Sequence, residues 1–235
     1  MFTTHAVGGT VPRPATIAID GPVASGKNAV GGLVAKELGY LLLDTGAMYR
    51  ALTWLALKQG LDLADEEALG QLAATAKIDL APRNDGACGV RVNGQDVTAQ
   101  LRQPSVERGV SLVATVAGVR RPLVARQQEL ARAGGVVVVG RDIGTVVLPD
   151  ATLKIYLEAS TEERARRRHR ELLGQGVETE YDDVLADLQT RDGIDSGRSV
   201  SPLMPAADAI IIDTEGISAE QVSARILDLV AERCC

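Results

Sequence analysis

The segment Gly21-Pro-Val-Ala-Ser-Gly26-Lys27 constrains this chain more than any other stretch. It fits G-x-x-x-x-G-K and follows Thr16-Ile-Ala-Ile-Asp20, an apolar run of the kind a buried parallel strand shows. Beyond it, Val30, Leu33, Val34 and Leu38 fall on one face of a helix. A glycine-rich turn from strand to helix lets backbone N–H groups converge on a polyphosphate, and the helix N-terminus adds partial positive charge. Gly21, Pro22, Val23, Ala24, Ser25, Gly26, Lys27, Asn28 and Ala29 are therefore the expected ATP-binding residues. Lys27 is the expected cation between the β- and γ-phosphates. The plainer alternative is a strand-to-helix turn without a ligand.

The motif departs from its full form. The position after the lysine, ordinarily Ser or Thr for Mg²⁺, is Asn28, and Ala29 follows; neither has a hydroxyl. An amide oxygen is a hard donor that Mg²⁺ accepts, and the same side chain can instead hold a metal-bound water. Mg²⁺ accompanying ATP is thus the expected cofactor, held at Asn28 more weakly or through water. A nucleotide-binding module without turnover is the alternative that these two residues raise.

Tyr40-Leu-Leu-Leu-Asp44 reads as a second strand and Met48 to Lys58 as a second helix. Strand, helix, strand, helix in this order implies right-handed parallel crossovers and a sheet covered on both faces. From Ile78 to Thr98 the pattern changes. Asn84-Asp85-Gly86 and Val92-Asn93-Gly94 interrupt an alternation around Val90, Val92 and Val97, which predicts an inserted antiparallel piece. Helical stretches follow around Val106–Ala117 and Val119–Ala133. Gly135–Val139, Leu153–Leu157 and Ala209–Asp213 resume the sheet. Ser218 to Glu232 closes the chain as an amphipathic helix with Ser218 as N-cap.

Two further segments stand where α/β proteins bind ligands. Asp44-Thr-Gly-Ala-Met-Tyr-Arg50 follows the second strand, and an Arg one turn into a helix beside the Thr45 hydroxyl suits a phosphate monoester. A plain helix start is the alternative. Gly140-Arg141-Asp142-Ile-Gly-Thr-Val-Val147 follows a run of valines. Opposite charges at the end of a buried strand are expensive unless paired or used, so a mutual Arg141–Asp142 ion pair is the alternative there.

With these segments the sequence resembles the bacterial cytidylate (CMP) kinases. The matching stretches are Ile17–Pro22 with Ser25-Gly-Lys27, Leu43–Arg50, Gly140–Val147 with Pro149-Asp150, and Arg191-Asp192 followed by Asp195, Arg198 and Pro202-Leu203. They occur in family order over nearly the whole chain. The resemblance implies transfer of the ATP γ-phosphoryl group to CMP and dCMP, giving CDP or dCDP and ADP, by a monomer with Mg²⁺. It implies Thr45 and Arg50 as acceptor-phosphate contacts. Ser111, Arg120, Arg141 and Asp142 would form the cytosine pocket and its approach. Arg191 and Asp195 would contact the sugar, and Arg198 would reach a phosphate; Lys27, Arg141 and Arg198 would be catalytic. The run Thr161–Arg168 resembles a lid in which Arg164, Arg167 and Arg168 meet the transferring group, against the alternative of a solvated helix with Glu–Arg pairs.

The expected fold is α/β, a P-loop three-layer fold with a central parallel sheet of about five strands, an inserted antiparallel and helical acceptor domain, and a helical lid. The expected divisions are residues 1–15 as a flexible leader, 16–77 as core with the phosphate loop, and 78–118 as the insertion. Residues 119–160 return to the core, 161–198 form the lid and its following helix, and 199–235 complete the core. Cytosine presents an amine donor where uracil presents a carbonyl, so the Asp142 carboxylate can accept from one and repels the other. No general base is needed, because a phosphate monoester has its second ionisation near ~6. UMP or a small metabolite as acceptor is the rival within kinases.

Composition narrows the partners. A net charge of −6 and 3% aromatic residues disfavour nucleic acid, since neither a broad cationic surface nor a base-stacking platform is available. No run of apolar residues is long enough to cross a membrane, and the first fifteen residues do not read as a signal peptide, so no membrane association and a cytoplasmic setting are expected. Cys88, Cys234 and Cys235 have no metal-ligand spacing.

Overall fold

A computed structural model describes residues 14–82 and 88–234. Five parallel strands form the central sheet in the order β2-β6-β1-β7-β8. They are β1 (Thr16–Asp20), β2 (Leu41–Asp44), β6 (Val136–Gly140), β7 (Leu153–Glu158) and β8 (Ile210–Asp213). Every residue of β6 is buried, as expected for a strand covered on both faces. Alternation divides the side chains. Ile17, Ile19, Val137 and Val139 pack with Val30 and Val34 of α1 (Lys27–Leu38) and Val222 and Ile226 of α8 (Ala219–Cys234). Ala18, Val136 and Val138 face the other way, against Ala131, Ile143 and Val147. Because β1 pairs Asp20 with Gly140 and β2 pairs Asp44 with Val139, the strands end level. The glycine-rich loop and the segments that open at Asp44 and Gly140 therefore leave one edge of one sheet.

The second helix, α2 (Thr45–Lys58), starts three residues before Met48, because Asp44 caps it by accepting from the Ala47 N–H at 3.2 Å. Helix α3 (Glu66–Thr75), absent from the sequence reading, is capped by Asp65 and carries Glu66 and Glu67 in its first turn. The inserted antiparallel sheet is β3 (Ile78–Pro82), β4 (Cys88–Val92) and β5 (Gln95–Asp96). Asn93 and Gly94 join β4 to β5 with φ of 51° and 83°, the paired left-handed conformation of a type I′ turn. Asn84-Asp85-Gly86 lies outside the described residues. Helices α4 (Pro104–Val113) and α5 (Ala117–Ala131) divide at 114–116, earlier than the sequence reading placed the break. A second core joins α2 and α3 to the small sheet and to α4 and α5, through Leu52, Leu69, Val90, Val106 and Val119.

Helices α6 (Thr161–Gly174) and α7 (Tyr181–Gly197) pack through Ala165, Val184 and Leu188. Val23 and Ala24 of the phosphate loop pack against the same cluster, so this helix pair leans on the loop. Ser218 and Gln221 cap α8 reciprocally: Gln221 N–H donates to Ser218 Oγ at 3.3 Å, and Ser218 N–H donates to Gln221 Oε1 at 3.0 Å. Among the described residues no helix is long and apolar enough to cross a membrane.

Candidate active site

The phosphate loop needs its two motif glycines for different reasons. A Cβ on Gly21 would lie 2.2 Å from the Leu157 carbonyl oxygen. Gly26 has open space around it but a φ of 89°, which disfavours any side chain. Ala24 sits at φ 60°, a left-handed conformation that costs an L-residue roughly 1–2 kcal/mol. Lys27 is buried, and its Nζ donates to the Pro22 carbonyl at 2.5 Å and to Ser25 Oγ at 3.1 Å. Burial, and then the neighbouring Arg141, push its pKa well below the ordinary lysine value, while Asp20 pulls it up. An ammonium held this way gains most when an anion replaces a neutral carbonyl.

Asn28 Nδ2 donates to Asp44 Oδ2 at 2.7 Å, so its oxygen is the group it can offer a cation. Arg50 Nη2 donates to the same Asp44 oxygen at 2.7 Å. Burial alone would raise the Asp44 pKa, but Arg50 and Asn28 outweigh it and hold the carboxyl below its usual range. Thr45 Oγ1 donates to the Val139 carbonyl at 2.9 Å, which ties α2 to β6.

Deeper in, Arg120 and Asp142 form a buried ion pair, and Arg120 Nη1 also donates to the Ala114 carbonyl at 3.2 Å. The Tyr49 ring lies 5.5 Å from the Arg120 guanidinium carbon. Burial raises the Asp142 pKa, against the pull of Arg120 and Arg198. Arg141 donates elsewhere: its Nε reaches Asp195 Oδ2 at 2.9 Å, and Arg198 Nη2 reaches Asp195 Oδ1 at 2.6 Å. Asp195 thus faces Arg141 and Arg198, whereas Arg191 Nη1 reaches Glu107 Oε2 at 3.5 Å.

Lys27, Arg50, Arg141 and Arg198 line one cleft of about 380 Å³. Thr45, Ser111, Arg120, Asp142, Arg191 and Asp195 line the same cleft. From the glycine-rich loop, Val23, Ala24, Gly26, Asn28 and Ala29 also line it, whereas Gly21, Pro22 and Ser25 do not. The lid arginines divide. Arg167 and Arg168 line the cleft while pairing with Glu163 at 2.9 Å and Glu171 at 2.9 Å, so the Glu–Arg pairing of a solvated helix is present too. Arg164 is off the cleft wall and donates to the Val23 carbonyl at 3.1 Å and to Asp192 Oδ2 at 2.7 Å, which fastens α6 to the phosphate loop and to α7.

Several participants escaped the sequence reading. Asp20 accepts from Ile143 N–H at 2.8 Å and Gly144 N–H at 2.7 Å, and burial raises its pKa to about 6. The loop that carries Arg141 and Asp142 is thereby anchored to the end of β1. Asp44 had a local signal, an Asp directly before a helix start. Glu107 pairs locally with Arg102 at 3.3 Å, but its link to Arg191 joins segments far apart in sequence. Arg50 Nε, Arg120 Nε and Arg191 Nε are buried with no partner within the protein. Such atoms on a cleft wall suit a polar ligand. No group of three or more His, Cys, Asp or Glu side chains placed to hold a metal occurs among the described residues.

The sequence model of the family described as Cytidylate kinase matches residues 17–232. The chain is similar to the Cytidylate kinase of Bacillus velezensis, 49% identical over 218 residues, covering 93% of this chain and 97% of the relative. It is 51% identical over 217 residues to the Cytidylate kinase of a Geobacillus species, covering 92% and 96% respectively. Among solved structures, an uncharacterized protein from Eubacterium ventriosum aligns with a TM-score of 0.51 at 12% identity, covering 93% of this chain and 99% of that one. That last likeness concerns the fold alone.

Proposed function

The chain belongs to the cytidylate kinase family, and on that footing we propose that it transfers the ATP γ-phosphoryl group to CMP, with dCMP as a second acceptor, giving CDP or dCDP and ADP. The observation that carries this reading is the convergence of Lys27, Arg50, Arg141 and Arg198 on one cleft at the carboxyl edge of the sheet. Catalysis there is positioning and charge neutralisation. Lys27 exchanges its bond to the Pro22 carbonyl for the donor's phosphates. Arg141 and Arg198 share the two oxygens of Asp195 and are held pointing at the same region; they accept charge as it moves between the nucleotides. The acceptor phosphate is mostly ionised at neutral pH, so no residue needs to take a proton from it.

Arg50 holds the acceptor phosphate, and Thr45 joins it by turning its hydroxyl from the Val139 carbonyl to a phosphate oxygen; Arg191 and Asp195 face the sugar. The paired Arg120 and Asp142, with Ser111, read the base: the Asp142 carboxylate accepts from the cytosine amine and repels the uracil carbonyl. The second core is read as the acceptor-binding unit, which then includes α2, α3 and α5 as well as the expected insertion. The pair α6 and α7 is read as the lid, with Arg167 and Arg168 meeting the phosphates. The Asn28 amide oxygen at the start of α1 and the Asp44 carboxylate at the end of β2 fit Mg²⁺, since both are hard ligands and Mg²⁺ retains several waters. When bound there, the ion would neutralise the donor's phosphate oxygens. A monomer acting on free nucleotides, without nucleic acid or membrane, completes the reading.

Initial rates with CMP, dCMP and UMP, coupled to ADP formation and repeated across a Mg²⁺ titration, test it. CMP and dCMP should outrun UMP by about five-fold or more, as a base-reading hydrogen bond of roughly 1–3 kcal/mol requires. Equal rates with UMP, or no ADP formed with any acceptor, would contradict the reading. Asn28→Ser should lower the Mg²⁺ concentration at half-maximal rate; an unchanged titration removes Asn28 from the metal site.

A further inference from the structure

Asp44 stands between the two nucleotide sites, and three groups compete for it. Its Oδ1 accepts from the Ala47 N–H at 3.2 Å as the cap of α2. Its Oδ2 accepts from both Asn28 Nδ2 and Arg50 Nη2, each at 2.7 Å. Arg50 is therefore held by one nitrogen, on an oxygen it shares, while its buried Nε has no partner within the protein. A guanidinium gripped this way is poised for a better acceptor, because a phosphate dianion can take Nε and Nη2 together. Gly46 avoids crowding the Asp44–Arg50 pair. A Cβ there would lie 3.1 Å from Asp44 Oδ1 and 3.2 Å from Arg50 Nη1.

The donor side is short of the oxygens a divalent cation wants, since Asn28 and Ala29 replace the hydroxyl that usually serves it. The Asn28 amide nitrogen tethers the Asp44 carboxylate to the first turn of α1, and Arg50 neutralises it. We propose that Asp44 is a partner-exchange residue: capture of the acceptor phosphate draws Arg50 away and leaves the carboxylate, still tethered by Asn28, free to serve the divalent cation of the donor nucleotide. Acceptor binding and metal binding are then linked, and by thermodynamic reciprocity each strengthens the other by the same factor. The cation is held well only when an acceptor is in place, which restrains hydrolysis of ATP when none is. This inference rests on the reading of Arg50 as an acceptor-phosphate contact.

The test uses Mn²⁺ as the probe, followed by the paramagnetic resonance signal of the free ion, with the full chain and ADP. ADP and CMP together cannot react, so binding is seen without turnover. Saturating CMP should tighten Mn²⁺ binding by about five-fold or more, the size expected of a genuine coupling. Cytidine, which lacks the phosphate, should leave Mn²⁺ affinity unchanged. In Asp44→Asn, which keeps an oxygen to cap α2, CMP should still bind and the coupling should vanish.

Wild-type protein that binds CMP with no change in Mn²⁺ affinity overturns the exchange, as does equal coupling by cytidine or coupling that survives in Asp44→Asn. If Asp44→Asn does not fold, the CMP and cytidine comparison on the wild type decides alone. Failure of the underlying reading looks different, because CMP would then bind equally well to Arg50→Ala.

Discussion

The parts of the cleft proposed for donor and for acceptor are built in opposite ways. The donor half is nearly one continuous stretch, Gly21 to Ala29, shaped by backbone conformation, and Lys27 rests on a neutral carbonyl and a hydroxyl. The acceptor half gathers Arg50, Ser111, Arg120, Asp142, Asp195 and Arg198 from five segments and locks several of them into buried ion pairs. A loop shaped by glycines can lose a side chain and keep its form. A network of buried charges cannot, because removing one partner strands the other without water. Changes in the donor half should therefore affect rate, and changes in the acceptor half should affect folding as well.

The largest expected effect lies in the acceptor half. Arg120→Ala leaves the buried Asp142 unpaired, and chemical denaturation should show a loss of roughly 3–5 kcal/mol. A loss below about 1 kcal/mol, the value of an exposed pair, would break the contrast between the halves. Lys27→Ala should lower kcat by about 10²–10³-fold, the usual consequence of removing one preorganised donor, while the melting temperature and CMP affinity stay close to wild type. A variant that unfolds would put Lys27 among the structural charges instead.

Asp20 sharpens the comparison, since it ends the same strand that begins the donor loop yet anchors the acceptor loop. Its pKa is raised from 3.8 to about 6, so between those values the folded state binds a proton that the unfolded chain does not. Its contribution to stability therefore grows as pH falls from about 6 towards 4, by an amount on the order of 3 kcal/mol. Other carboxyls, Asp44 among them, shift the opposite way, so the quantity to measure is the difference between wild type and Asp20→Asn over that window. A pH-independent difference would contradict the assignment. Asp142→Ala strands Arg120 in turn and should lose stability as Arg120→Ala does. Its effect on selectivity is the smallest expected, a cut in the preference for CMP over UMP of about five-fold or more, or roughly 1–3 kcal/mol. An unchanged ratio in competition assays removes Asp142 from base reading.

The same contrast explains what the sequence could reveal. The phosphate loop is legible because its requirements are local: a strand, a turn that needs glycine, a helix start. The sheet was legible from apolar runs such as that of β6, and the β4–β5 turn from Asn93-Gly94. Helix α3 was missed because its ten residues carry only Leu69, Leu72 and Ala73 inward, too weak a stripe to stand out. Within the site, the pairing of Arg141 with Asp195, not with its chain neighbour Asp142, is set by where α7 lies, and no local pattern encodes it. Asp20 looked like the end of an apolar strand because the two N–H groups that it accepts from belong to a distant loop.

The central claim is that both nucleotides occupy one cleft with their phosphates between the same cations. A bisubstrate analogue, adenosine and cytidine joined through five phosphates, tests it directly by calorimetric titration. Binding at least about a hundred-fold tighter than ATP or CMP alone, and weakened by Lys27→Ala and by Arg50→Ala separately, is the result expected of linked sites. An affinity no better than that of ATP, with Arg50→Ala without effect, would contradict it.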